Sequence, residues 1–275
     1  GQPLSLFIEV ENMNVHYRDE GNSQDTVPIV LIHGTGSSLH TFDDWTEDLK
    51  ADYRVIRMDL PGYGLTGPFP DRDYTIHHYA DFIHQFLTTL GVEQCIIGGN
   101  SLGGRIAWTY TAKYSEMVDK LVLIDASGYP FKPESIPIAF ELATIPVMKN
   151  IFTFITPRSV AKESIENVYA DKSKVTEELV DRYFELTLRE GNRQAFVDRL
   201  NMELDTTFYR QIKQIQQPTM IMWGDQDRLI PLENAYRFQE DLPNDTLVIL
   251  PDVGHVPMEE SPATSLAVLA AFLAD

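Results

Sequence analysis

The sequence predicts an α/β protein: a mostly parallel, doubly wound sheet of eight strands with helices on both faces, and a helical stretch inserted into it. Three observations carry this. Short apolar runs alternate with segments of helical spacing, the rhythm of parallel strands joined by crossover helices. The rhythm stops near Ser127 and resumes after Gln217, and only helical patterns lie between. Finally, Cys95–Gly104 (C-I-I-G-G-N-S-L-G-G) passes from a β-run into a helix-forming segment through Gly99-x-Ser101-x-Gly103. That is the spacing of a nucleophile elbow, a turn so tight that its central residue is strained and presented outward. Glycine is needed on either side because a side chain there would strike the neighbouring strand and helix.

Each element follows from its residues. Leu4–Val10 and Met13–Arg18 are β-like runs joined by Glu11-Asn12, a hairpin at one sheet edge. Pro28–Ile32 is apolar throughout, as a strand covered on both faces must be, and ends in the small-residue loop His33-Gly34-Thr35-Gly36-Ser37-Ser38. A helix is expected around Thr41–Leu49. Arg54–Met58 is the next strand, closed by the turn Asp59-Leu60-Pro61-Gly62-Tyr63-Gly64. Tyr79, Phe82, Ile83, Phe86, Leu87 and Leu90 fall at helical spacing, and Gly91 ends that helix. Beyond the elbow, Lys120–Ile124 is a further strand. Within the insertion, Leu179, Tyr183 and Leu186 share a helix face behind Thr176-Glu177-Glu178, a helix start. The strand Thr219–Trp223, a helix near Leu232–Asp241, the strand Thr246–Leu250 and a helix from Pro262 to Leu273 complete the chain. The expected organisation is a body formed by 1–126 and 218–275 and a helical cap over 127–217.

A length of 275 residues suits one core with a large insertion. Lys and Arg number 22 against 41 Asp and Glu, a formal charge of −19, which would repel nucleic acid and anionic membrane surfaces. The expected partner is therefore a small molecule, with the protein itself a monomer or homodimer. The longest apolar run, Ile136–Ile155, is interrupted by Pro137, Glu141, Pro146 and Lys149, so no stable membrane insertion of this segment is expected. Cys95 is the single cysteine, which forbids an internal disulfide and leaves the redox compartment open. The cytoplasm is favoured, with periplasm or secretion the alternatives if a leader or anchor preceded Gly1.

In a doubly wound sheet, ligands gather outside the carboxyl ends of the strands. Ser101, the His33–Gly36 loop, Asp225 and Asp227 after Thr219–Trp223, and His255 after Thr246–Leu250 all fall there. A serine hydroxyl needs an adjacent base to become a nucleophile at neutral pH. Imidazole can take that proton and return it to a leaving group. A carboxylate must hold the other ring nitrogen and stabilise the imidazolium. Leu102 opens the elbow helix, so its free N–H points where an oxyanion would develop. No spacing of histidines and carboxylates suggests a metal, and no glycine fingerprint suggests a nucleotide, so no cofactor is expected. His33 is read as a brace for its own loop, Asp59 as a turn residue, and His40, His77, His78 and His84 as surface or capping residues.

Five motifs carry a family resemblance over nearly the whole chain: His33-Gly34-Thr35-Gly36, Asp59-x-Pro61-Gly62-x-Gly64, Gly99-x-Ser101-x-Gly103, Gly224-Asp225-x-Asp227-x-x-x-Pro231, and Gly254-His255-x-Pro257-x-x-Glu260-x-Pro262. In this order they resemble an α/β-hydrolase with a helical cap. The resemblance implies Ser101 as nucleophile, Asp227 as acid and His255 as base, with the N–H groups of Thr35 and Leu102 as oxyanion donors. Asp225 and Asp125 stay open as rival acids, the latter because some relatives supply the acid after the preceding strand. Serine at the elbow sets the chain apart from dehalogenases and epoxide hydrolases of this fold, which need a carboxylate there.

An acyl-enzyme on serine implies ester, thioester or amide hydrolysis, and esters are the leading expectation. The first half of the insertion is rich in apolar residues, among them Phe131, Ile136, Phe140, Val147, Phe152 and Phe154, which implies a hydrophobic substrate pocket. Two other readings stand beside this one. Hydrolases that cleave carbon–carbon bonds in aromatic ring-fission products share the Gly99-Asn100-Ser101 stretch, but commonly carry tryptophan where this chain has Val256. Their dianionic substrates call for basic residues, for which Arg105, Arg189 and Arg193 are available. A non-catalytic small-molecule receptor on the same fold is the reading from another class.

Overall fold

The computed structural model describes residues 5–203, 205 and 207–275. Leu4, expected to open the first strand, lies outside the described residues. Eight strands form one sheet: β1 (Leu6–Val10), β2 (Met13–Gly21), β3 (Ile29–Ile32), β4 (Arg54–Met58), β5 (Cys95–Asn100), β6 (Val118–Ile124), β7 (Thr219–Gly224) and β8 (Asp245–Leu250). Their order is β1-β2-β4-β3-β5-β6-β7-β8. β1 and β2 pair antiparallel, as do β2 and β4, and all other neighbours are parallel. Glu11 and Asn12, at φ 49° and 64°, form the left-handed two-residue turn that suits a right-twisted hairpin.

Alternation along the central strands feeds two cores. Val30 and Ile32 of β3, Ile97 of β5 and Leu121 and Leu123 of β6 face one side. There they meet α2 (Ile76–Thr89) and α3 (Leu102–Lys113). Ile29, Leu31, Ile96, Val122 and Ile124 face the other, where Trp45 of α1 (Asp43–Leu49) and Leu269 and Phe272 of the C-terminal helix (Pro262–Ala274) cover them. The Trp45 Nε1–H donates to Ser265 Oγ at 2.9 Å, so the indole is buried without an orphaned donor. α2 starts three residues earlier than its clearest apolar stripe, because Thr75 Oγ1 accepts from the His78 N–H and caps it.

Between residues 127 and 217 the described residues contain helices and no strand: α4 (Ile138–Thr144), α5 (Met148–Phe152), α6 (Arg158–Val168), α7 (Glu177–Thr187) and α8 (Asn192–Asn201), followed by a 3-10 turn at Phe208–Gln214. Thr176 caps α7 by accepting from the Leu179 N–H at 3.1 Å, as its sequence suggested. The helical segment is clasped to the sheet domain by Glu259, which accepts from Thr41, Tyr169 and Tyr183 at 2.6, 2.8 and 2.6 Å. After β7 come α9 (Glu233–Asp241), then α10 (Pro257–Glu260) and α11 (Pro262–Ala274). No helix among the described residues is long and apolar enough to cross a membrane.

The elbow is packed to contact. A Cβ on Gly103 would sit 2.0 Å from the Ile32 carbonyl oxygen, and one on Gly99 would sit 2.2 Å from the Gly103 carbonyl carbon. Both obstacles are backbone, which cannot swing aside. Gly103→Ala is therefore expected to destabilise the fold by roughly 2–3 kcal/mol, read as a lower denaturant midpoint at unchanged slope. A midpoint equal to wild type would mean that α3 does not press on β3 as described.

Candidate active site

Ser101 sits between β5 and α3 at φ 55° and ψ −114°, a conformation that costs a non-glycine residue about 1–3 kcal/mol. It is over-determined by its neighbours. The Ser101 N–H donates to the Ile124 carbonyl at 3.1 Å, and its carbonyl accepts from the N–H groups of Arg105 and Ser127, each at 3.1 Å. The side chain is partly exposed, and among the described residues it makes no hydrogen bond. The hydroxyl is thus presented to solvent by a turn whose backbone is locked.

Asp227 lies in the loop after β7 and His255 in the loop after β8. Asp227 Oδ2 is 2.6 Å from His255 Nδ1. Asp227 Oδ1 accepts from the N–H groups of Leu229 and Ile230 at 2.9 and 3.0 Å. Both residues are only 4% exposed. With Nδ1–H committed to the carboxylate, Nε2 is left as the free nitrogen, and His255 and Ser101 line the same cavity. No hydrogen bond joins Ser101 Oγ to the ring, a looseness common in ligand-free serine–histidine sites.

The two rival carboxylates are separated by the structure. Asp225 turns away and accepts from the Asp252 N–H at 2.8 Å, bracing the turn after β8. Asp125 directly follows β6 at φ 44°, fully buried, with an oxygen within 4.8 Å of both the Asp227 carboxylate and the His255 ring nitrogen. Burial pushes its carboxyl well above the usual range, and the neighbouring Asp227 adds to the push. The imidazole is hydrogen-bonded to Asp227.

Two backbone donors are available. Among the described residues, neither the Thr35 nor the Leu102 N–H has a protein acceptor. Leu102 is the first residue of α3, where the helix dipole favours negative charge. The Thr35 loop is held against the elbow: a Cβ on Gly34 would lie 3.2 Å from Ser101 Cβ. His33 anchors that loop from below. Its Nε2 accepts from the Leu60 N–H at 2.9 Å, so the hydrogen rests on Nδ1 and is given to the Gly34 carbonyl at 2.8 Å. Burial pushes this imidazole down, which keeps it neutral. Asp59, fully buried, accepts from the Leu39 and Leu65 N–H groups and pairs with His16 at 2.7 Å. Its place is the base of the loops.

Three contributors escaped the sequence reading. Asn100 Nδ2 donates to the His255 carbonyl at 2.9 Å and to Ile124 at 3.1 Å, tying the serine turn to the histidine loop. Glu260 accepts from the N–H groups of Gly254 and Asp171, both at 2.7 Å, and so fixes the histidine loop to the helical segment. The Tyr63 hydroxyl is buried at the cavity wall, and burial pushes it up to about 12. Asn100 stands in the stretch shared with the carbon–carbon hydrolases and Glu260 in the last motif, but neither pattern states these roles.

The cavity, about 130 Å³, lies between the elbow and the helical segment. Phe140, Phe152, Val160, Ile165, Leu186 and Phe196 supply most of its apolar wall. The apolar first half of the insertion therefore divides. Phe140 and Phe152 face inward, whereas Val147, Phe154 and Ile155 are 70%, 78% and 66% exposed on the outside. Arg193 reaches the wall, while Arg105 and Arg189 do not. None of His40, His77, His78 and His84 lines it.

Sheet order, strained serine turn and imidazole–carboxylate pair together describe a hydrolase of the α/β class. The chain belongs to the alpha/beta hydrolase fold family, whose profile matches residues 27–262. It is 30% identical over 273 residues to an uncharacterised hydrolase of Bacillus subtilis, covering 94% of both chains. It is 29% identical to Lipase 3 of a Moraxella species, covering 92% of this chain and 81% of the relative. It is also 26% identical to the 2-hydroxy-6-oxo-6-(2'-aminophenyl)hexa-2,4-dienoic acid hydrolase of Metapseudomonas resinovorans, covering 94% and 87%.

Proposed function

We propose that the protein hydrolyses carboxylic esters of small to medium hydrophobic acids or alcohols through an acyl-enzyme on Ser101. The observation that carries this reading is one cavity that Ser101 and His255 share, with two unpartnered N–H groups at the serine and an apolar wall. Ser101 Oγ attacks the ester carbonyl as His255 Nε2 takes its proton. Asp227 holds the ring through Nδ1 and stabilises the imidazolium. The tetrahedral oxyanion is received by the Leu102 and Thr35 N–H groups, each typically contributing about 10²–10³ in turnover. Collapse expels the alcohol with the proton from His255, and water repeats the sequence to release the acid. Residues 127–217 act as the cap that closes the cavity over the substrate.

The relative named as a lipase supports ester chemistry, and the mostly uncharged wall supports an apolar substrate. The relative that hydrolyses a ring-fission product keeps carbon–carbon cleavage as the second reading, and Arg193 at the wall is the residue that favours it. A dianionic substrate wants more than one such cation. Val256, beside the imidazole, also stands where those hydrolases commonly carry tryptophan. A screen of p-nitrophenyl esters against ring-fission dienes separates the two, and turnover of neither would point to the receptor reading.

Across a p-nitrophenyl ester series, kcat/KM is expected to peak at short to medium acyl chains, because the cavity is small. The exposed surface from Ile145 to Ile155 carries apolar side chains, among them Val147, Ile151 and Phe154, so the series is to be measured both below and above the solubility limit of each ester. A peak at long chains with a jump above that limit would replace the esterase reading with that of a lipase acting at an interface.

A further inference from the structure

Two carboxyl groups share the dry space behind His255, and the proposed reaction uses only one. Asp227 has three donors: the N–H groups of Leu229 and Ile230 and the His255 Nδ1–H. Asp125 has one, the Gly224 N–H at 3.1 Å on Oδ1, and its buried Oδ2 has no donor among the described residues. Two carboxylates within 4.8 Å of each other, away from water, cannot both carry charge. The donor count decides which one does. Asp227 is the anion, and Asp125 is left to be the acid.

We propose that Asp125 is a positioning residue that stays protonated at neutral pH and donates its O–H to the remaining lone pair of Asp227. Its backbone supports the same role. The Asp125 N–H donates to the Met222 carbonyl at 3.0 Å and its Oδ1 takes the Gly224 N–H, so β7 holds the residue at both ends in a left-handed conformation. The groups facing it are Asp227, the His255 ring and, farther off, Glu260, whose carboxylate also disfavours a second anion. A fourth hydrogen bond to Asp227 would restrict its rotation and temper its pull on the imidazolium. Burial of the Asp125 carboxyl beside Asp227 pushes its titration in the direction this requires.

This inference rests on reading Asp227 and His255 as acid and base, and its first test does not need activity. The infrared C=O stretch of a protonated carboxyl should be present in the wild-type protein at pH 7 and lost in Asp125→Asn. No such band, or a band that survives the substitution, overturns the proposal. The pH profile of kcat/KM gives the second test. Asp125→Asn keeps a donor and leaves the charge unchanged, so most of the activity and the position of the acid limb should be retained. If Asp125 were an anion, losing it would weaken the imidazolium and move the limb down by about one pH unit or more. Asp125→Leu removes the donor, which should lower kcat about tenfold and move the limb up, with Asn as the rescuing substitution. A loss in Asp125→Asn as large as that in Asp227→Asn would instead make Asp125 the triad acid and end the proposal.

Discussion

Replacing Ser101 by alanine is expected to lower kcat/KM for p-nitrophenyl esters by about 10⁴–10⁶ while the protein stays folded. The effect is large because the substitution removes the atom proposed to form the acyl bond. The locked turn, the two N–H donors and the apolar wall remain, so substrate binding should change little and the loss should fall on kcat. The same substitution should abolish labelling by a serine-directed phosphonate, with the label on the wild type mapped to the peptide that carries Ser101. Hydrolysis that persists in Ser101→Ala, or a label found elsewhere, would mean that the cavity serves another chemistry.

The second large effect is expected at the carboxylate. Asp227→Asn should lower kcat by about 10⁴, the scale seen when an isosteric amide replaces the acid of a serine–histidine–aspartate triad. An amide can hold His255 by its oxygen or by its nitrogen. In the second case the hydrogen is driven to Nε2, and the base is lost. Two controls frame the result. Asp225→Asn should stay within a few-fold of wild type, because Asp225 braces the turn at Asp252 and not the ring. The midpoint of unfolding should show whether Asp227→Asn also loosens the loop that its Oδ1 ties together through Leu229 and Ile230. Equal losses at the two positions would remove the distinction the structure draws between them.

Much of the fold was legible because the signals are local. An apolar run such as Ile29–Ile32 reports a strand covered on both faces wherever it lies in the sheet. Thr176 before two glutamates reports a helix start from chemistry within one turn. The turn at Ser101 is also a local property: glycines at 99 and 103 are demanded by backbone atoms of Ile32 and Gly103, and the spacing states that demand. Asn100 carried no such signal. Its side chain crosses to a carbonyl 155 residues away, a contact that no local pattern states.

What the sequence by itself determined is the sheet with its helical insertion, the strained serine turn, and the short set of groups able to act on a substrate beside it. What only the tertiary structure decided is which of three aspartates meets the imidazole and what becomes of the others. Asp225 and Asp227 differ by two positions in one loop, and Asp125 follows another strand. The choice is made by the parallel register that sets Ile124 against Met222, and by where the loops after β7 and β8 turn inward. Periodicity and turn chemistry are written residue by residue. The meeting of side chains depends on which strands lie next to each other, and that is settled only when the whole sheet has closed.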